Sequence, residues 1–386
     1  MDPRLYVAVV RDDLQALKSL VGENETILDQ PTKVTHDTPL HLASGLGNMD
    51  VATEIIKLRP QSVLAQNANH ETPLLVACRF GHVQLVTLIL QTSHWPLGLG
   101  EDGADQTALH VAAASGHKDI VEKLLQLFPI LSRRKDIKGY SPLHYACSEG
   151  SVEIAKMFLN LDPDLAMQYC SDGYTPPHLA AIQGRIPFLE EFLLAVPDSF
   201  MSPTVEGETV FHLMVRFRKD DAFKYLARAF HGTQLLHQPD AQGNTVLHLA
   251  AYGGQYDLAE YMIRRTSVDV NCRNKDGLTA PDILRRAGNF LGVDLLKKAF
   301  QAVVHEPHVT AGMDQKLIQS LRHVIGEEHP PLFAGNSSES LKEFSSDIGT
   351  TDLSSRRQIL PEVKQKQESP NARENTLPPK QMLQQR

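Results

Sequence analysis

One tetrapeptide recurs through most of this 386-residue chain. It reads TPLH in its first copy, SPLH in the fourth and TAPD in the eighth, and successive copies start 34 to 36 residues apart. A fixed period of this length predicts a solenoid, in which each repeat packs only on its neighbours. We call the first residue of each copy its anchor, and the anchors are Thr38, Thr72, Thr107, Ser141, Thr175, Thr209, Thr245 and Thr279.

Each repeat carries the signals of two helices and a turn. A Thr or Ser anchor, often followed by Pro, is typical of a helix start, because its hydroxyl can cap free N–H groups. Alanine five residues later allows this inner helix to pack closely, and glycine nine residues after the anchor predicts its end. A second, outer helix follows, with apolar residues three and four apart. Proline should stop the outer helix in four copies, at Pro60, Pro129, Pro163 and Pro197.

The repeat anchored at Thr209 departs from this pattern. It has neither the alanine nor the glycine, and it precedes the single 36-residue interval. Because stability in a repeat array is close to a sum of local terms, we expect earlier hydrogen exchange near residues 214–236 than in the repeats anchored at Thr107 and Ser141.

The T-P-L-H-x-A core and its period resemble the ankyrin repeat. The resemblance implies an all-α ankyrin solenoid of about nine helix-turn-helix units with β-hairpin loops. The prolines above and the segments LYVAVVRDDLQALKSL and VDVNCRNKDGLTAPDIL are also similar to the plant ankyrin–transmembrane family, whose members act in defence and stress signalling. Members of that family carry a C-terminal membrane domain with a Pro-Gly-Gly signature, and this sequence shows neither feature.

The predicted array spans residues 1–303, with a degenerate first repeat at 1–34. The anchored repeats start near residues 35, 69, 104, 138, 172, 206, 242 and 276. Within residues 304–325 an apolar stripe at helical spacing favours an amphipathic helix that either caps the array or docks on a partner or membrane. Residues 326–386 are rich in Ser, Pro, Gln, Glu and Lys and hold two aromatic residues, so we predict a disordered tail.

Composition and charge limit which partners and which cellular locations are expected. Acidic residues outnumber basic ones by 46 to 38, and the net charge of −8 argues against a nucleic-acid partner, because phosphate binding needs a basic surface. No apolar run approaches 18 residues, so we expect no transmembrane span of its own. The four cysteines form no CxxC pair, which favours a reduced, cytoplasmic location.

Histidine is abundant, and six copies occupy the fourth position of the tetrapeptide. Because they come one per repeat and stacked helices lie about 8–10 Å apart, they cannot converge on one metal ion. We therefore predict a structural role, in which each ring bonds to turn groups of its own repeat, for His41, His110, His144, His178, His212 and His248. The sequence indicates no metal, cofactor or catalytic residue, since no nucleophile elbow, phosphate loop or H-E-x-x-H motif is present.

Three positions vary between repeats while the rest of the pattern is kept. They are the residue before each anchor and the residues seven and eight after it, which in an ankyrin array line a concave face. We call these positions the concave face. Aromatic and arginine side chains dominate interface energetics. The predicted partner-binding residues are Arg79, Phe80, Tyr140, Glu149, Tyr174, Gln183, Glu208, Phe217 and Tyr252.

The sequence thus favours a non-enzymatic scaffold that binds partner proteins through the concave face. The family resemblance implies a role in plant defence or stress signalling. The alternative is a regulator that associates with the membrane, or with longer relatives, through residues 313–386, at the cytosolic face of the plasma membrane. An enzyme would require a convergent acid–base cluster that the sequence does not indicate.

Overall fold

A computed structural model describes residues 1–92, 106–231, 233–266, 268–288, 292–296 and 298. These residues form pairs of antiparallel helices, an inner and an outer helix in each repeat. The predicted helix within 304–325 and the predicted tail 326–386 lie outside the described residues. The inner helices are α1 (Pro3–Val10), α3 (Pro39–Leu46), α5 (Pro73–Phe80), α7 (Ala108–Ala114), α9 (Pro142–Ser148), α11 (Pro176–Gln183), α13 (Val210–Arg216), α15 (Val246–Tyr252) and α17 (Ala280–Arg286).

The outer helices are longer and most are followed by a short 3₁₀ helix. Pro60, Pro129, Pro163 and Pro197 each occupy the first position of such a 3₁₀ helix. The outer helices α2, α14 and α16, which lack this proline, also end after ten residues, so the proline fits the helix end but does not shorten the helix. Within the described ranges, no helix is long and apolar enough to cross a membrane. The outer helices are α2 (Leu14–Glu23), α4 (Met49–Leu58), α6 (Val83–Thr92), α8 (Lys118–Leu127), α10 (Val152–Leu161), α12 (Ile186–Ala195), α14 (Asp220–Ala229) and α16 (Tyr256–Arg265).

The ends of the inner helices follow the sequence pattern, with one exception. Gly47 takes the left-handed conformation (φ 78°) that ends α3, as the spacing predicts. Gly150 does not have a positive φ, and its role is steric: a Cβ there would lie 2.6 Å from the carbonyl oxygen of Ala113. Arg218, which replaces glycine in the Thr209 repeat, still adopts φ 55°, so the chain requires the left-handed turn even without glycine.

The loops between repeats are tight turns, and no β-strand forms in the part of the chain that the structure describes. The expected β-hairpins are reduced to a single backbone bond at their base, such as Asp136 N–H to the Tyr140 carbonyl at 2.9 Å. The Asp136 carboxylate accepts the N–H groups of Lys138 and Tyr140, and so holds the turn closed. In this hairpin one carboxylate therefore accepts the N–H groups of the turn, and the backbone bonds do not continue into a ladder between paired strands.

One apolar core runs through the described repeats, between the inner and outer helices. Alanine at the fifth position after the anchor is fully buried, as at Ala43, Ala112 and Ala146. In the Thr209 repeat this position is Met214, which is also fully buried, and four phenyl rings in and beside this repeat are completely buried. Neighbouring ring centroids lie 5.1 to 6.3 Å apart in edge-to-face contacts among Phe200, Phe211, Phe223 and Phe230. The repeat that departs most from the pattern is thus densely packed.

Candidate functional site

Each of the six histidines caps its own inner helix. The ring Nδ1 lies 2.7 Å from the Ser141 hydroxyl in the case of His144, and it accepts the Ser141 backbone N–H at 3.1 Å. The other five rings contact their anchor threonine in the same way, at 2.8 to 2.9 Å. This reciprocal capping box satisfies donors that the first helical turn leaves free. The side chains are buried, so they do not face a ligand.

The second ring nitrogen joins neighbouring repeats. In five copies Nε2 meets the backbone carbonyl of the residue that precedes the next anchor. His144, for example, lies 3.2 Å from the Tyr174 carbonyl, and His212 lies 3.0 Å from that of Asn244. We call these contacts the histidine bridges; the others join His41 to Glu71, His110 to Tyr140 and His248 to Leu278. The sequence predicts bonds from each ring to backbone and Thr groups of the turn, and the structure shows that the backbone carbonyl belongs to the next hairpin, 30 or 32 residues along the chain.

His178 is the exception. Its ring caps Thr175 normally, but its buried Nε2 makes no bridge to the Glu208 carbonyl; the backbone group that it contacts is that of Ser202. Burial lowers the pKa of His144 and His178 to about 4, and it also lowers the pKa of His41, His212 and His248. These rings are therefore neutral at physiological pH. A neutral ring at Ser141 and Thr175 can accept the anchor N–H at Nδ1, which the capping geometry requires.

Two copies of one side-chain arrangement lie on the concave face. Arg79 pairs with Glu71, the residue before its anchor, and Arg216 pairs with Glu208 in the same two positions four repeats later. The arginines remain about half exposed, while the glutamates are nearly buried. Each arginine is therefore held in a fixed orientation with one edge directed to solvent. A comparison of the two sequence copies, E-T…R-F in both, could have found this pairing.

The Glu208 side chain is more buried than the sequence prediction implies. It was expected on the partner-binding surface, but its side chain is only 2% exposed and lies under Arg216. Burial raises the pKa of Glu208 to about 7, against the attraction of Arg216, and nearby Glu206 and Asp240 add to the rise. Glu208 thus orients Arg216, and Arg216 is the member of the pair that is exposed on the concave face.

The two tyrosines are less accessible than predicted. Tyr140 and Tyr174 are half-buried and pack against the core. The Tyr140 hydroxyl donates to Asp172 at 2.9 Å, and its ring lies 5.7 Å from the ring of Tyr145. Burial raises the pKa of both hydroxyls. Both side chains therefore contribute to packing as well as to the concave face.

Tyr145 was missed by the sequence analysis. Its hydroxyl donates to Asp136 at 2.7 Å and accepts from Gln106 at 2.6 Å, and so links two adjacent repeats. The remaining predicted residues are exposed. Phe80 is 47% exposed, Tyr252 55% and Phe217 36%. Arg79, Glu149 and Gln183 are exposed as well. Three exposed aromatic rings on one face of three different repeats form the apolar part of this surface.

No other chemistry emerges from the described residues. Within them, no group of three or more His, Cys, Asp or Glu side chains is arranged to hold a metal ion. Cys78 and Cys147 are fully buried, and burial raises the pKa of both thiols, so they are poor nucleophiles. Cys170, at a hairpin, is buried too. The concave face therefore offers exposed aromatic rings and guanidinium groups that are held in fixed orientations.

Comparison with known proteins identifies the repeat. The family model described as "Ankyrin repeats (3 copies)" matches residues 5–95, 93–169, 109–197 and 178–276. Ankyrin repeat-containing protein BDA1 of Arabidopsis thaliana is 39% identical over 61 residues, which is 16% of this chain and 14% of that protein. Protein ACCELERATED CELL DEATH 6 of Arabidopsis thaliana is 29% identical over 90 residues, 23% of this chain and 13% of the relative.

The matched stretches thus cover less than a quarter of either relative. Among solved structures, the human ASB11 ankyrin repeat domain aligns with a TM-score of 0.47 at 22% sequence identity. That alignment covers 55% of this chain and 91% of the ASB11 domain.

Proposed function

Because this chain belongs to the ankyrin-repeat family, we propose that it is a non-enzymatic scaffold that binds partner proteins through its concave face. The observation that carries the proposal is the repeated arrangement of a half-exposed arginine beside an exposed phenyl ring, Arg79 with Phe80 and Arg216 with Phe217. Arginine and aromatic side chains contribute most to protein interfaces. Their buried glutamates fix the guanidinium groups in advance, which reduces the entropy that binding must overcome.

The finer role that we propose is in plant defence or stress signalling. It is supported by sequence similarity to protein ACCELERATED CELL DEATH 6 of Arabidopsis thaliana. The cysteines are unpaired, which favours a reducing compartment, and we propose a cytoplasmic location.

A quantitative capture experiment tests the concave face. The full chain is compared with Phe80→Ala/Phe217→Ala, because these rings are exposed and removing them leaves the core intact. We expect proteins captured by the wild type to bind the double variant at least about 30-fold more weakly, since hot-spot residues contribute about 2 kcal/mol or more.

The matched control is Gln126→Ala/Asn160→Ala, on the outer helices. Both control residues are exposed, and each lies 19 positions after its anchor. The control should bind as the wild type does. If both double variants keep full binding, the concave face is not the interface; if the outer pair loses binding instead, the outer helices are.

A further inference from the structure

Neighbouring repeats are joined by directional hydrogen bonds of three kinds, and one junction has none of them. The first kind is the histidine bridge. It is present at every described junction whose inner helix carries the histidine, except between the repeats anchored at Thr175 and Thr209. There the buried Nε2 of His178 does not bond to the Glu208 carbonyl, and its backbone contact is with Ser202.

The second kind joins the hairpins. In four of the described hairpins an amide donates to a carbonyl of the preceding hairpin, as from Ser171 to Lys138 at 3.0 Å and from Ala241 to Glu206 at 2.8 Å. The same bond forms from Ala68 and from Lys275. Val205 occupies the corresponding position in the Thr209 repeat, and its amide makes no such bond to the Thr175 hairpin in the described structure.

The third kind starts from the residue ten after the anchor, whose side chain donates to a carbonyl of the preceding repeat in five of the described repeats. Ser151, at this position in the Ser141 repeat, makes no such bond in the described structure and caps its own outer helix instead. His117 lies 2.9 Å from the Arg79 carbonyl, and Gln255 donates to Val215 at 2.7 Å. Arg185 bonds to Gly150 in the same manner. Lys219, at this position in the Thr209 repeat, makes no such bond within the described ranges; its methylenes lie over Gly184 instead.

The sequence explains why this junction differs. Four hairpins are closed by an Asp or Asn whose side chain accepts two backbone N–H groups, at Asn67, Asp136, Asp240 and Asn274. The two hairpins that meet at this junction have Cys170 and Thr204 in that place. Thr204 accepts one N–H, from Glu208 at 3.1 Å, so its turn is less constrained.

We propose that the junction between the Thr175 and Thr209 repeats is a hinge, at which the two parts of the array change their relative orientation. The apolar core continues across it, so the parts stay attached. Apolar contacts are non-directional, whereas hydrogen bonds fix angles, and a joint that keeps the first and lacks the second can rotate. Two peripheral contacts do cross the junction: the Tyr169 hydroxyl donates to the Pro203 carbonyl, and Ser202 contacts the Met167 sulfur.

Spin-label distances in the full chain test the hinge. One pair of labels, introduced by Asn160→Cys and Arg228→Cys, spans the junction. The control pair, Gln126→Cys and Leu194→Cys, spans two bridged junctions. All four sites are exposed on outer helices, and each lies 19 residues after its anchor. Both proteins carry Cys272→Ser to remove the most accessible native thiol.

We expect the distance distribution across the hinge to be at least twice as broad as that of the control pair. Equal widths would overturn the proposal. Hydrogen exchange of the unmodified chain gives an independent measurement if a labelled protein fails to fold. The Val205 amide should exchange at least tenfold faster than those of Ser171 and Ala241, and equal protection of the three would also overturn the hinge.

Discussion

The histidine bridges make one substitution series informative, because His144 and His178 differ in a single contact. Both rings are fully buried and cap an anchor residue. Only His144 also reaches the next repeat, at the Tyr174 carbonyl. We expect His144→Ala to reduce local stability by about 2–4 kcal/mol. This sums a lost cap of about 1 kcal/mol, an unpaired buried carbonyl of about 1–3 kcal/mol, and some loss of packing.

His178→Ala loses the cap and the packing but no bridge. We expect a reduction of about 1–2 kcal/mol, so the two variants should differ by about 1 kcal/mol or more. Native-state hydrogen exchange of α9 and α11 measures this, because it reports opening free energies repeat by repeat. His212→Ala, at a bridged junction, is the matched control and should resemble His144→Ala. A loss at His178 as large as at His144 would refute the bridging role.

Further predictions concern pH and the turns. Because the folded pKa of His144 is about 4, below its ordinary value of 6.5, its stabilising contribution is complete above pH 6.5 and is lost as the pH falls towards 4. In urea unfolding, the free energy of unfolding of His144→Ala should therefore fall less steeply with acid than that of the wild type. Glu208 has the opposite sign, since its pKa is raised from 4.5 to about 7: its contribution is complete below pH 4.5 and is lost as the pH rises to 7. Between pH 4.5 and pH 8, the free energy of unfolding of Glu208→Gln should therefore rise by roughly 1–3 kcal/mol relative to that of the wild type. If the difference between the two proteins is the same at both pH values, the burial argument is contradicted. Thr204→Asn should raise the melting temperature by completing the turn, as Asn274 does in its hairpin, and a lower melting temperature would contradict this.

The fold was largely predictable, because its determinants are local and periodic. A hydroxyl anchor and a glycine nine residues later specify where each inner helix begins and ends, and both act within one repeat. Gly150 shows the limit of that logic. A side chain there would clash with Ala113 of the preceding repeat and with Ala146 of its own repeat, so the glycine is required by close packing and not by its backbone angle, and a single repeat reveals only part of that packing.

The candidate site was less predictable, because exposure depends on neighbours in space. Glu208 and Glu71 look like surface residues in sequence, yet each lies under an arginine eight positions later. Tyr140 is predicted from sequence to bind a partner, but its hydroxyl donates to Asp172 of the next hairpin. Variation between repeats indicated which positions face outwards. It could not tell which residues there support a neighbour and which stay open to a partner.

Hydrogen exchange of a captured complex shows whether the concave face is the interface. The chain is measured free and bound to its captured partner. We expect slower exchange on binding at the ends of the inner helices that carry Phe80, Phe217 and Tyr252, while the exposed faces of α8 and α10 are unchanged. Protection confined to the outer helices, with no change around these three rings, would show that the concave face is not the interface.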